Sequence, residues 1–232
     1  MPRSVVITGG FGALGTHVSR AFLALGDYVS RVDVAPSSAI PLVGGRDFPG
    51  VDLTDDEACA RTVAAIVSAF GGIDVLINVA GGFVWETLDG GSSASWQRMF
   101  AMNVLTTGMM TKAALPALLE SPAGRVINVG ANAAVHSEAG MGAYAAAKAG
   151  VHRQTESLAA ELVATRVTVN AVLPSIIDTP GIRAAMPAAD TSQWVEPEAI
   201  ADVMVFLASP AGRSISGALI PVTRGTDSSV RG

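Results

Sequence analysis

The sequence predicts an α/β fold: a doubly wound parallel sheet covered by helices on both faces, three α/β/α layers in all. Three observations carry this. Short β-branched runs alternate with longer Ala/Leu-rich stretches over the 232 residues, the pattern of right-handed strand–helix–strand crossovers. The first run leads straight into Thr8-Gly9-Gly10-Phe11-Gly12-Ala13-Leu14-Gly15, a glycine-rich turn that opens a helix. Half the residues are hydrophobic and 15% are charged, with mean hydropathy +0.44, which suits strands buried on both sides.

Strands are expected at 4–8, 28–34, a short one ending near Val51, then 73–78, 125–129, 166–172 and 218–222. Helices are expected at 12–25, 55–70, 96–119 with a break near Asn103, 144–163 and 197–208. Thr54 and Glu57 have the spacing of a capping box before the second helix. Pro197 suits a first helical turn, where its missing N–H costs nothing. Residues 81–95 and 174–196 read as loops, and both follow strand C-termini, where ligands bind in such sheets. No internal repeat or low-complexity linker divides the chain, so 1–232 reads as a single domain.

A net charge of −5 and a pI of about 5.1 argue against nucleic acid or an anionic membrane as partner. The single Cys59 excludes an internal disulfide and a multi-cysteine metal site, and its apolar-periodic setting suggests a small core residue. No His/Cys/Asp spacing supports a metal site. No uninterrupted apolar run reaches membrane-spanning length, and no charged n-region with an apolar h-region precedes the first strand. The cytoplasm is the expected compartment.

The glycine turn has the setting of a dinucleotide site: the backbone turns tightly, approaches a pyrophosphate and presents it to a helix N-terminus. Asp33 follows Gly15 by 18 residues. A carboxylate there accepts from adenosine ribose hydroxyls and repels a 2′-phosphate, which predicts NAD(H) over NADP(H). Arg31 shares a strand face with Asp33 and could either accommodate a phosphate or pair with Asp33. Asp52 and Leu53 would lie near the adenine. Asn78-Val79-Ala80-Gly81 ends the fourth strand at the topological switch point, where Gly81 and Gly82 allow close backbone approach.

Tyr144 and Lys148 stand four residues apart in a chain with two tyrosines. One helical turn places phenol and ammonium on one face. A nearby ammonium favours phenolate and lowers the phenol's pKa, which tunes a tyrosine for proton transfer. His17 and His136 read as surface, packing or loop residues. His152 and Glu156 are expected to face solvent or a subunit.

Taken together, Thr8–Gly15, Asp33, Asp52-Leu53, Asn78-Val79-Ala80-Gly81, Asn103, Tyr144/Lys148 and Pro174-Ser175-Ile176-Ile177-Asp178-Thr179 resemble the short-chain dehydrogenase/reductase family over essentially the full chain. The resemblance implies a Rossmann-like sheet of order 3-2-1-4-5-6-7, an NAD(P)-dependent oxidoreductase acting on a small molecule, and a homotetramer or homodimer. It implies Tyr144 as proton donor or acceptor, Lys148 binding the nicotinamide ribose, Asn103 holding a relay water and Thr179 contacting the carboxamide. The implied cofactor contacts are Gly9, Phe11, Gly12, Ala13, Leu14, Asp33, Asp52, Leu53, Asn78, Ala80, Gly81, Tyr144, Lys148, Pro174, Ile177 and Thr179. Ala131, Asn132, Trp85, Met141, Met186 and Trp194 are the implied pocket lining, part of it on loops expected to cover the site.

Three positions depart from the family pattern. Gly12-Ala13 reverses the usual non-glycine and glycine. Ser175 replaces a glycine. Ala131 stands 13 residues before Tyr144, where the family carries its catalytic serine, and alanine offers no donor to a substrate carbonyl. Losing one such donor typically costs about 10²–10³ in rate. Asn132 and Ser137 are the candidates to stand in for it. Locally, Val79-Ala80-Gly81-Gly82, Gly140-Met141-Gly142-x-Tyr144 and Met186-Pro187-x-Ala189-Asp190 are similar to dihydropteridine reductases. These also lack the serine and use NADH to reduce a quinonoid pterin. The expected substrate is therefore a small carbonyl or alcohol, or a quinonoid compound of dihydropterin type, with a catalytically silent dinucleotide-binding regulator as the alternative.

Overall fold

A computed structural model describes residues 2–224; residue 1 and residues 225–232 of the expected single domain lie outside the described residues. Seven strands form one sheet: β1 Ser4–Thr8, β2 Tyr28–Val32, β3 Arg46–Phe48, β4 Val75–Asn78, β5 Arg125–Val129, β6 Thr168–Pro174 and β7 Leu219–Val222. The order is β3-β2-β1-β4-β5-β6-β7 and every pairing is parallel. The helices are α1 Ala13–Ala24, α2 Asp56–Phe70, α3 Ser93–Phe100, α4 Thr106–Glu120, α5 Gly142–Glu161, α6 Pro180–Ala185 and α7 Pro197–Ala208.

Strand alternation divides the core. Val5 and Ile7 face one side with Val18 and Phe22 of α1 and Ile200 and Met204 of α7. Val6, Leu76 and Val126 face the other, with Ile66 of α2 and Met110, Ala114 and Leu118 of α4. Period two in the strands and 3.6 in the helices produce this sandwich. Each such side chain contributes about 1.5–3 kcal/mol by leaving water. Cys59 is a fully buried member of the second core.

Several boundaries differ from expectation for local reasons. β2 ends at Val32 because Asp33 turns toward the glycine turn. β3 stops at Phe48, ahead of Gly50, whose φ of +69° is left-handed. The Thr54–Glu57 capping box does not form. Asp55 caps α2 instead, accepting the Glu57 N–H at 2.9 Å, while the Thr54 hydroxyl donates to Asp52 at 2.7 Å. The nearby ionised carboxylate is the stronger acceptor and takes the threonine first. The helix expected over 96–119 does break near Asn103: Ala101–Leu105 is a π-helical segment between α3 and α4. The 174–196 stretch is not all loop. Thr179 caps the short α6 by accepting the Ile182 N–H, and Ile177 bridges Val195.

Candidate active site

The glycine turn is shaped by its neighbours. Gly9 has φ +63°, and a Cβ there would lie 2.8 Å from Ala80 Cα. A Cβ on Gly10 would lie 2.5 Å from Arg31 Cβ, and one on Gly15 would collide with the Gly9 carbonyl. The turn is thus pressed between β2, the end of β4 and α1. Gly12 is the N-cap of α1 and no side chain caps it, so the first turn presents bare N–H groups and the positive end of the helix dipole. With Gly12 as cap, Ala13 is simply the first helical residue and Leu14 packs in the core beside it.

Asp33 stands beside this turn. One carboxylate oxygen accepts the Phe11 N–H at 3.0 Å and the other the Ala35 N–H at 3.0 Å. Arg31 does not pair with Asp33. Its Nε and Nη2 bond the two oxygens of Asp47 at 2.8 and 2.7 Å, because Asp47 is its register partner on β3. Asp52 holds Thr54, whose two donors keep its carboxyl below the usual range. Leu53 is buried in the core.

The Asn78 amide turns inward. Its Nδ2 donates to Thr111 and to Asn128 Oδ1, each at 2.9 Å, and Asn128 donates on to Thr155 at 2.9 Å. The chain of amides and hydroxyls ties β4 and β5 to α4 and α5 inside the core. Beyond it, the Ala80 N–H donates to Thr8 at 3.2 Å, and the chain passes Gly81 at close quarters. A Cβ there would lie 2.6 Å from Asn103 Oδ1 and 3.3 Å from Lys148 Nζ. The π segment carries Asn103 to this point, where Nδ2 donates to Gly82 O and Met99 O and Oδ1 accepts the Gly82 N–H.

Tyr144 lies in the first turn of α5, its ring edge-on to Phe83 at 4.9 Å between centroids. Lys148 is buried one turn on, donating to the Val129 carbonyl at 2.8 Å. Burial pushes the phenol up to about 12 and the ammonium down to about 8. The direction for Tyr144 is opposite to the one the Tyr–Lys spacing suggests. Desolvation of the buried phenol is the cause.

Ala131 is buried and offers only its backbone; its N–H donates to His152 Nε2 at 3.3 Å. His152 therefore faces inward, not toward solvent or a subunit. Burial, then Arg153 and Lys148, push it down to about 4, so the ring is neutral with Nε2 as acceptor. Residues 144, 148 and 152 repeat at one helical turn, and extending the Tyr–Lys spacing by one more step would have found it. Asn132 begins a short 3-10 turn. Ser137 lies exposed and its hydroxyl contacts only the Glu138 carbonyl at 3.4 Å.

The pocket loops meet ahead of Tyr144. Trp85 donates to Ala139 O at 3.1 Å and its indole fills the space a Cβ on Gly140 would need. Met141 is the N-cap of α5. Met186 is exposed after α6, whereas Trp194 is buried. A cavity of about 510 Å³ opens beside Thr179, lined also by His17, Asp178, Arg183 and Glu198. There His17 meets Glu198 at 2.9 Å, and the Arg183 guanidinium holds the Asp178 carboxyl below its usual range. Among the described residues no cluster of three or more His, Cys, Asp or Glu could hold a metal, and no helix is long and apolar enough to cross a membrane.

The short chain dehydrogenase family model matches residues 3–189. The chain belongs to that family. It is 31% identical over 95% of both chains to 2-(S)-hydroxypropyl-CoM dehydrogenase 3 of Xanthobacter autotrophicus. It is 32% identical to the 2,5-dichloro-2,5-cyclohexadiene-1,4-diol dehydrogenase LinX of Sphingobium indicum, covering 95% of this chain and 94% of the relative. A short-chain dehydrogenase/reductase structure from Mycobacterium ulcerans superposes with TM-score 0.88 at 26% identity, over 97% of this chain and 92% of that one. Short-chain dehydrogenases are oxidoreductases that bind a nicotinamide dinucleotide, and this chain has a place for one. Gly9, Gly10 and Gly15 have no room for a side chain, the α1 N-terminus is uncapped, and Ser175 Oγ after β6 is buried without a protein partner among the described residues.

Proposed function

We propose that the protein is an NAD(H)-dependent oxidoreductase acting on a small secondary alcohol or ketone, with Tyr144 as acid and base. The observation that carries this is the convergence of Asn103, Lys148 and Gly81, one helical turn from Tyr144. The nicotinamide, when bound, supplies or accepts the hydride. Tyr144 moves the substrate oxygen's proton. Lys148, fixed by its hydrogen bond to the Val129 carbonyl, would bond the nicotinamide ribose. Asn103, anchored to Gly82 and Met99, orients a relay water. The loops carrying Trp85 and Met141 exclude bulk water from the reacting atoms. Thr179 would contact the nicotinamide carboxamide.

The preference for NAD(H) rests on Asp33, whose carboxylate sits at the glycine turn where an adenosine ribose would lie. The alcohol dehydrogenases to which the chain is similar support the alcohol or ketone class. The same reading takes the chain as one cofactor-binding domain, cytoplasmic, assembled as a homodimer or homotetramer; exposed Phe100, Leu119 and Phe206 would be covered by that assembly.

A second reading is favoured by one observation: Ala131 leaves Tyr144 without a hydroxyl beside it. A quinonoid substrate of dihydropterin type already has an electron-poor ring and needs less carbonyl polarisation. The test offers ketones and quinonoid dihydropterin side by side to wild type and Ala131→Ser, following NADH oxidation. Ketone turnover that rises with Ala131→Ser supports the first reading. Pterin turnover indifferent to the serine supports the second. NADH binding with no turnover of either would leave a dinucleotide-binding regulator.

A further inference from the structure

We propose that Asp47 is a cofactor-specificity residue: it holds the Arg31 guanidinium away from any 2′-phosphate, so that the adenosine end of the site presents the Asp33 carboxylate alone. This rests on the NAD(H) reading above and deepens it.

Arg31 is fully buried on β2, two residues before Asp33 and on the same face. Its stem lies against the glycine turn, with Cβ 2.5 Å from where a Gly10 side chain would begin. Its guanidinium lies 5.1 Å from the centroid of the Phe11 ring. Phe11 is also the residue whose N–H Asp33 binds. A cation and an anion therefore flank one turn residue, the first at its ring and the second at its backbone.

An unengaged arginine at this position would carry the planar fork that suits a phosphate monoester. It would oppose the discrimination that Asp33 provides. Here the fork is occupied. Nε and Nη2 grip both oxygens of Asp47, and Nη1 donates to Ile40 O at 3.1 Å. Register holds the pair together, since Arg31 and Asp47 face each other across β2 and β3. The pair is neutral as a unit, so the charge left beside Phe11 is that of Asp33.

Stability alone gives a weak account of the pair. Arg31 is buried, but the Asp47 side chain is 36% exposed, and an ion pair with an exposed partner contributes little to folding. What an apolar pair could not do is place a cation under the adenosine site with its charge already answered.

The test is equilibrium binding of NADH and NADPH, read by nicotinamide fluorescence or calorimetry. Wild type is expected to favour NADH. Asp47→Asn should shift the ratio of the two dissociation constants toward NADPH by about tenfold or more, the size of one charge-assisted hydrogen bond. Added salt should shrink that shift, and Arg31→Leu in the Asp47→Asn background should erase it. If Asp47→Asn does not fold, Arg31→Lys serves: it keeps the charge, loses the fork and should gain about threefold toward NADPH. A ratio unchanged in these variants, while Asp33→Asn shifts it, overturns the proposal and leaves the NAD(H) reading standing. A wild type that binds NADPH as tightly as NADH removes both.

Discussion

His152 Nε2 accepts the backbone N–H of Ala131 at 3.3 Å, directly behind the position where a serine hydroxyl is missing. The imidazole also occupies the space beside Gly130, where a Cβ would lie 2.5 Å from Nε2. The backbone that should carry a catalytic hydroxyl is instead fixed from within by a neutral ring on the Tyr144 helix.

Replacing His152 with Leu leaves the buried Ala131 N–H without a partner. The expected loss is about 1–3 kcal/mol, seen as a lower midpoint in urea. Histidine also gives a pH signature. The folded ring titrates near 4 against an ordinary 6.5, so the unfolded chain binds a proton first as pH falls. Stability should decline from about pH 6.5 toward 4, and His152→Leu should remove that part of the decline.

Lys148 acts in the same direction at higher pH. Its folded pKa is pushed down to about 8 from 10.5 by burial. Between those values the unfolded chain holds more protons, so this group makes stability rise with pH from about 8 to 10. Denaturation series of wild type and Lys148→Met should diverge over that window, with the variant lacking the rise.

Tyr144→Phe keeps the ring against Phe83 and removes only the proton-carrying oxygen. Turnover should fall by about 10²–10⁴, while NADH affinity changes by no more than about tenfold, the size of one neutral hydrogen bond. Steady-state rates and nicotinamide fluorescence titration together check this. Undiminished turnover would move the acid–base role elsewhere.

Gly81→Ala places a methyl 2.6 Å from Asn103 Oδ1 and 3.3 Å from Lys148 Nζ. Overpacking of that kind costs about 1–3 kcal/mol. Since the displaced groups are those proposed for proton transfer, the rate should drop further than the stability accounts for. Comparing the melting shift with kcat separates the two.

The sequence by itself determined the architecture. Alternating β-branched runs and Ala/Leu stretches are local signals of a parallel sheet, and the strand order came from the family resemblance that the motifs carry. The same motifs singled out Tyr144, Lys148, Asp33 and Asn103 as candidates, because strand ends and helical turns put motif residues at predictable places. Only the tertiary structure decided which partners those residues take. Arg31 looked available to Asp33 two positions away, but strand register across β2 and β3 gave it to Asp47. The Asn78 amide links to Thr111 and Asn128 in the core. Thr54 was drawn to Asp52 rather than to the helix it precedes. His152 looked exposed until α5 turned it under Ala131. Tyr144 looked acidified by Lys148, yet burial governs its proton. Hydrogen-bond partners and desolvation depend on atoms brought together from distant parts of the chain, and local spacing carries no record of them.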